Sequence, residues 1–577
     1  MKINKLVLFS FSVLTTIAIS YLSMDSFAEQ ELSQTANNSL LSDPFLQLPT
    51  ESTVNVVWFT EFIGDRHIVN YGTQLEQRAI AQTTKLTRVR EDRDSQIENP
   101  PEKSPRDIWR HEATVTNLKS DRRIPYRVSS HQDKQVYQSD IFTLAPNPGK
   151  ESALKILLTS DHQLMPMTAA NLERVVETVG RVDGVFLPGD LVNIPDRASE
   201  WFDDQRGGAF FPSLQGKASY KLERDGVTTT YRGGEIIQHA PLFTAIGNHE
   251  VMGKVAANFS LKEEFGLPQP REVAKQNTAN ASAEQIKNNS FNIDTYEEIF
   301  TLPQSQPGGE KYYATTFGDI RLISLYVTNI WRSPSLEADA RGRYKESNNS
   351  LNDTAEWGYG QHIFEAIDKG SPQYQWLEQE LQSEAYQQAK YKIVMFHHPP
   401  HTLGGNIVPP YTDPQPKESY SENGELESLY YDYPIKDDYI IRDLIPLLEK
   451  AEVQLVYYGH SHLWNRFQGT SGIHFLESSN VGNSYGAHVG DNKRQIPTYC
   501  PQNYVEVGNP NGLEAIAPNI APLIDESGQA IPYIASNEIT AFSIFDTATG
   551  TVSSYRYDTR KPSAPAILFD RFSLISN

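Results

Sequence analysis

Three short motifs concentrate the reactive side chains of this 577-residue chain: Gly189-Asp190, Gly247-Asn248-His249-Glu250 and Gly459-His460-Ser461-His462. Each follows a short apolar run, and two further runs end at Asp161 and at His397-His398. Oxygen donors mixed with imidazole suit Mn, Fe, Zn or similar ions, whereas an all-oxygen shell would suit Mg or Ca. Two such ions can clamp the attacking and leaving oxygens of an in-line displacement at phosphorus. A lone histidine at a strand end is more often a satisfied core or surface residue. Asp190, Asn248, His397, His460 and His462 arriving together at strand ends are a coincidence that a metal site explains. His398 competes with His397, since a shift of one residue exchanges them, and His397 is preferred as the first residue past its apolar run.

These groups need strands that end side by side. Residues 153–160 read as a buried strand delivering Asp161. Thr168 caps a helix with apolar Leu172, Val175, Val176 and Val179. Residues 184–188 form a second strand into Gly189-Asp190, which completes a βαβ unit with carboxylates at successive strand ends. Residues 241–246, 391–396 and 453–458 lead in the same way into the other motifs. Open α/β sheets bind ligands at the carboxyl ends of their strands. Glycine before Asp190, Asn248 and His460 permits tight turns and close backbone approach. Residues 311–326 read as a β-hairpin, Ser371-Pro372 opens a helix with Tyr374, Leu377 and Leu381 on one face, and residues 473–477, 541–545 and 552–557 supply further strands. The expected fold is α/β (α+β): two mixed sheets face to face, with helices outside. His474 lies within its run and is a structural residue.

The ordered set Asp161, Gly189-Asp190, Gly247-Asn248-His249-Glu250, His397 and Gly459-His460-Ser461-His462 resembles the calcineurin-like metallophosphoesterases, and Gly-His-x-His followed by Arg466 looks like their purple acid phosphatase branch. The resemblance implies a four-layer β-sandwich flanked by helices over residues 150–560. It makes Asp190 the bridging carboxylate, Asp161 and His462 ligands of a first metal, and Asn248, His397 and His460 ligands of a second. It makes His249 the acid that protonates the leaving oxygen, with Glu250 orienting that imidazole. The cofactors it implies are two metal ions, divalent and of the Fe, Mn or Zn class. The first site departs from pattern. Many metallophosphoesterases carry Asp-x-His at the first strand end, and purple acid phosphatases use a Tyr three residues after the second-motif Asp. This chain has Gln163 and Asn193 at those places. Gln163, Asn193 or His162 could still supply an extra contact.

Residues 51–146 read as a separate all-β unit of short, partly alternating runs, with Trp58 in its core. The order Trp-x-Thr, Ala-Thr-Val-Thr-Asn-Leu, Tyr-Arg-Val is similar to the fibronectin type III-like N-terminal domain of purple acid phosphatases, and residues 145–149 form a linker. The stretches 85–93 and 121–123 mix charge signs and read as solvated loops. Lys2 and Lys5 precede an apolar stretch from Leu6 to Ile19, and Ser26-Phe27-Ala28 resembles a cleavage site. The expectation is a signal peptide over 1–28 and a connector over 29–50, hence a secreted or periplasmic protein. An uncleaved anchor is the alternative. The single cysteine, Cys500, excludes an intrachain disulfide. A net charge of −21 argues against nucleic acid or anionic membrane as partners and leaves local cations to attract a phosphorylated substrate.

Long polar segments, 196–240, 251–308, 333–370, 402–436 and 486–534, interrupt the elements and suggest lids, with Trp201, Phe210, Phe211 and Tyr411 as pocket walls. The expected protein is an exported binuclear metal-dependent phosphoester hydrolase acting on a phosphorylated small molecule. A phosphomonoesterase using metal-held hydroxide is the first reading, and a phosphodiesterase or nucleotidase is the near alternative. A catalytically weak binding scaffold is the alternative of another class.

Overall fold

The computed structural model describes residues 40–575 apart from 121, 279, 330–334, 338, 509–510 and 518–520. The expected signal peptide and residues 29–39 of the connector lie outside the described residues. Two mixed sheets form the centre of the molecule. In the six-stranded sheet, Leu242–Thr244, Gly184–Leu187 and Lys155–Leu158 run parallel, and Ile539–Asp546, Thr551–Asp558 and Ile567–Ser573 continue it antiparallel. In the eight-stranded sheet, Ile320–Ser324, Tyr391–Met395, Leu455–Tyr458 and His474–Ser478 run parallel, flanked by antiparallel Tyr313–Phe317 on one side and Trp464–Gln468 on the other.

Register aligns the future ligands. Leu158 pairs with Phe186 and Leu187 with Thr244, so three parallel strands release their loops at one edge; Met395 beside Tyr457 does the same in the second sheet. Every residue of Gly184–Leu187 and Leu455–Tyr458 is buried, as parallel strands covered on both faces require, which explains runs without polar alternation. Successive side chains still divide between two cores. Leu322, Ile393, Met395, Leu455 and Tyr457 pack with Leu157, Leu187 and Phe243 between the sheets. Ile323, Val394, Val456 and Tyr458 pack outward with Leu377 and Leu448 of the covering helices.

The helix Thr168–Val179 covers the six-stranded sheet through Leu172 and Val175. Thr168 is its first residue and not its cap: the hydroxyl instead donates to the carbonyl of His162 at 2.8 Å, tying the helix start to the loop after Asp161. The helix Pro372–Glu380 opens as expected, with Ser371 accepting from the Tyr374 amide.

Residues 45–144 form an all-β unit of two packed sheets and a short ribbon of Arg90–Asp92 with Lys103–Pro105. Phe45–Gln47, Val54–Thr60, Trp109–Val115 and Gln82–Lys85 face Ile124–Gln132, Arg66–Tyr71 and their neighbours across Val56, Trp58, Val69, Tyr126 and Val128. The buried Trp58 indole donates to Ser130 Oγ at 2.9 Å. The stretch 85–93 is not a solvated loop. Arg90 pairs with Asp196 at 2.7 Å and Glu264 at 2.8 Å, Arg88 with Asp294 at 2.8 Å, and Arg197 reaches back to Asp92 at 3.0 Å. Its partners lie far along the chain, so local charge balance gave no sign of them. Among the described residues no helix is long and apolar enough to cross a membrane.

Candidate metal centre

The strand-end loops pack against one another so closely that only glycine fits between them. A Cβ on Gly459 would collide with the Asp161 carboxylate, and one on Gly247 with that of Asp190. Asp161, Asp190, His460 and His462 all adopt left-handed backbone, with φ of 56°, 54°, 72° and 55°. For non-glycine residues that conformation is uncommon and persists where the surroundings over-determine it, most often at functional sites.

His397 Nε2 is the hub of one cluster. Asn248 Oδ1 lies 3.1 Å from it, Asp190 Oδ2 3.1 Å and His460 Nδ1 3.2 Å. Its Nδ1 donates to the Pro188 carbonyl at 2.8 Å, which fixes the ring and points Nε2 at the other donors. In the adjoining cluster His462 Nε2 stands 3.4 Å from Asp161 Oδ1, with its Nδ1 directed at the Asn483 carbonyl at 3.0 Å. The ligand atoms of Asp161, Asp190 and His462 lie within 4.8 Å of one another, as do those of His397, His398 and His460.

The electrostatics fit cations. Asp161 and Asp190 are buried, and their ion pairs among the described residues are to histidines alone. Unpaired buried carboxylates are costly. Burial disfavours an imidazolium at His397, but the charge and hydrogen bond of Asp190 outweigh it and push the pKa up to about 9. Burial likewise opposes charge at His462, and Asp161 reverses it, raising the pKa. At both histidines a neighbouring carboxylate favours positive charge against the cost of burial, which marks places suited to cations. Deprotonated donors of this mixed set can hold two ions: Asp161, Asp190 and His462 at a first half-site, and Asp190, Asn248, His397 and His460 at a second.

The remaining candidates fall into different roles. His249 donates from Nδ1 to the Asn193 carbonyl at 2.7 Å, its amide donates to Asp190 Oδ1 at 2.9 Å, and Phe265 lies nearly parallel to its ring at 5.0 Å. Glu250 does not orient that ring. Its carboxylate accepts the amides of Asp190, Leu191 and Gly247 at 2.9, 2.8 and 2.7 Å, so it braces the loops, and Asn193 takes the orienting role through its backbone. Burial and the nearby Asp190 charge push the Glu250 pKa up to about 8, against the amides of Leu191 and Gly247. Gln163 reaches the first half-site as a donor, Nε2 to Asp190 Oδ2 at 3.4 Å, while its Oε1 accepts from Asn483 at 3.2 Å. The amide of Asn193 turns away to the Gln163 carbonyl at 2.7 Å. His162 also turns away, with Nε2 at 2.9 Å from Thr159 Oγ1 and its ring against Phe210.

His398 stacks on His460 at 3.8 Å between centroids, and its ring nitrogen lies within 4.8 Å of the ligand atoms of His397 and His460. Arg466 is structural, paired through Nε and Nη2 with Asp570 at 2.6 and 2.8 Å. Glu477, Asn483 and Asn406 went unnoticed in the sequence. Glu477 accepts the Ser461 amide at 2.9 Å and its hydroxyl, and Asn406 donates to the His460 carbonyl, so both hold the loop that carries two ligand histidines. No motif marks them, because each acts through a backbone it reaches only after folding.

A cleft of 680 Å³ opens over Asp190, Asn248, His460 and His462, with His249 on its wall. Phe265, Phe364 and Tyr485 are its aromatics. Trp201, Phe210, Phe211 and Tyr411 are buried in the core instead: Phe211 packs against Phe45 and Phe59 of the all-β unit, and Trp201 and Phe210 pack on Phe211.

A family model described as calcineurin-like phosphoesterase matches residues 154–463. Among solved structures the chain is similar to a purple acid phosphatase isolated from yellow lupin (Lupinus luteus) seeds. They share 14% identity over 92% of this chain and 73% of that chain, at a TM-score of 0.50, which is a likeness of fold. A search of curated proteins finds no match.

Proposed function

This chain belongs to the calcineurin-like phosphoesterase family, and we propose that within it the protein is an exported phosphomonoesterase whose leaving-group acid is His249. Asp161, Asp190, His462, Asn248, His397 and His460 would hold two ions, which when bound would supply Lewis-acid charge and an activated nucleophile. The observation that carries the reading is His249 itself. Its Nδ1 is committed to a carbonyl, so Nε2 is the nitrogen left to carry a proton into the cleft beside Asp190. A positioned histidine acid contributes about 10²–10⁴ in rate. Phe265 holds the imidazole plane from one side, so the proton is delivered along a fixed direction.

The cleft volume favours a second reading, a phosphodiesterase or nucleotidase, because 680 Å³ leaves room for a second ester group between Phe265, Phe364 and Tyr485. The all-β unit supports the rim: Asp94 and Gln96 line the cleft, held there by the Arg90 and Asp92 ion pairs. Export rests on the basic and apolar N-terminal segment. Metal-dependent hydrolysis of p-nitrophenyl phosphate against its bis ester tests the reading. Faster monoester turnover supports it, faster diester turnover moves the protein to the second reading, and metal binding without turnover leaves a binding scaffold.

A further inference from the structure

The ring that lies against His249, Phe265, belongs to a short helix, Leu261–Phe265, so this helix stands on the side of the cleft where a leaving group protonated by His249 departs. The helix is anchored by its inner face. Leu261 and Glu264 are buried, the Glu264 carboxylate pairs with Arg90 and Lys103 at 2.8 Å each, and the Leu261 amide donates to Asp92 Oδ2 at 2.7 Å. Ser260 closes the first turn by accepting from the Glu263 amide. Residues three apart on a helix share a face, so a helix held at 261 and 264 presents 262 and 265 together. Both line the cleft.

Lys262 is the cation that this face offers. Among the described residues its ammonium makes no ion pair and no hydrogen bond. Two other cations of the cleft are committed, Arg197 to Asp92 and Glu200 at 3.0 Å each and Arg206 to Asp204 at 2.7 Å. Arg341, from the insertion 333–370, is committed only in part: Nη1 donates to the Glu356 carbonyl at 2.8 Å, and its ion pair with the Glu356 carboxylate is long, at 3.5 Å. Its anchorage continues the wall that Phe265 begins. The Lys254 amide donates to the Leu267 carbonyl at 3.0 Å, and Lys254 Nζ donates to the Ala355 carbonyl at 3.1 Å, next to the residue that holds Arg341. A net charge of −21 repels anions at long range, so cations with charge to spare on this wall act on a ligand already in the cleft.

We propose that Lys262 and Phe265, with Arg341 on the same wall, form a leaving-group subsite, and that the substrate is a phosphoester whose leaving group is a flat ring bearing an anionic group. Phe265, Phe364 and Tyr485 supply apolar surface for the ring, and Lys262 supplies the counter-charge. This rests on the reading of the cleft as a phosphoester site with His249 as the acid. The test is calorimetric titration of benzylphosphonate and 4-carboxybenzylphosphonate, non-hydrolysable analogues that differ by one carboxylate, into the metal-loaded full chain. Wild type should bind the carboxylate analogue about 5-fold more tightly, the size of a partly exposed ion pair. The preference should vanish in Lys262→Met, survive in Lys262→Arg and reverse in Lys262→Glu, at equal metal content. Lys262 is exposed, so these variants keep the fold. Equal affinity for the two analogues in wild type, or a preference kept in Lys262→Met, overturns the proposal. Turnover separates the subsite from the function: a protein that binds with this preference but hydrolyses neither phenyl phosphate nor 4-carboxyphenyl phosphate sinks the functional reading alone. One that hydrolyses both and shows no preference sinks the subsite alone.

Discussion

At the second half-site three donor atoms stand within 3.2 Å of His397 Nε2, and two of them belong to Asp190 and Asn248. At the first, His462 Nε2 is 3.4 Å from Asp161 Oδ1, and the next side chains inward are the amides of Gln163 and Asn483. Both are built on the same left-handed strand-end loops and share Asp190, so the contrast is one of donors and not of scaffold. Gln163 spends its amide nitrogen on the Asp190 carboxylate, which uses a lone pair that a cation would otherwise claim. A second half-site that holds its ion firmly beside a first that exchanges it follows from those donors.

The largest effect should come from breaking the tighter half. Asn248→Ala or His460→Ala removes one donor from the converged set, and hydrolysis should fall by about 10³-fold or more while the fold persists. Elemental analysis should show loss of the second metal. Wild-type metal content and turnover in either variant would sink the assignment. His249→Ala comes next, because it touches neither half-site's donors. Both metals should remain, and the rate should drop about 10²-fold on alkyl phosphates but far less on p-nitrophenyl phosphate, whose leaving group needs little protonation. Equal losses on the two substrates would remove His249 from the acid role.

The contrast itself is sharpened at Gln163. Replacing it with Glu exchanges a neutral donor for an anionic acceptor of the same length, and first-site metal affinity should rise about 10-fold, a size typical of changes around a metal's ligands. In the wild type a chelator should strip one equivalent well before the other, and the protein should be colourless, since no phenolate stands at position 193 to bind ferric iron. Simultaneous loss of both equivalents, or an intense visible band, would show the two halves to be matched.

The half-site donors were legible because each follows an apolar run that becomes a buried parallel strand: Phe186 and Tyr457 fix where Asp190 and His460 emerge. What surrounds them was not. Asn193 acts through its carbonyl and Glu477 through Ser461, and neither contact leaves a periodic trace. Aromatics in the insertions misled for the same reason. Trp201 and Phe210 look like Phe265 and Tyr485 in polar flanking sequence, and only packing against the all-β unit separates core from cleft wall. The all-β unit was legible through alternation and Trp58. Its docking through Arg88 and Arg90 was hidden because charges at long sequence separation pair only in three dimensions.

The smallest expected effect separates acid lability of the metal centre from acid lability elsewhere. In the all-β unit His67 and His111 stack at 3.5 Å. His67 contacts Ser130 Oγ at 2.9 Å and the Ile63 carbonyl at 2.7 Å, and His111 contacts the hydroxyls of Thr60 and Thr83 at 2.8 and 3.0 Å. Burial, then the charge of its neighbour His67, pushes the His111 pKa down to about 2, and burial lowers that of His67. With folded values below the unfolded 6.5, the unfolded chain binds more protons under that pH. Stability is then full above pH 6.5 and declines as pH falls, for His111 by up to about 1.4 kcal/mol per pH unit toward its folded value of about 2, with His67 acting in the same direction. His397 has the opposite sign: raised to about 9 by Asp190, its contribution in metal-free protein is present below 6.5 and lost as pH rises through 9. Thermal unfolding of metal-free protein between pH 6.5 and 5, below the range in which His397 contributes, followed by tryptophan fluorescence, should therefore show a falling Tm on acidification, on the order of 2 °C per kcal/mol, that His111→Gln flattens. A Tm that falls equally in His111→Gln would place the acid-sensitive groups elsewhere than in this histidine pair, and one that rises on acidification would overturn the assignment of acid lability to the all-β unit.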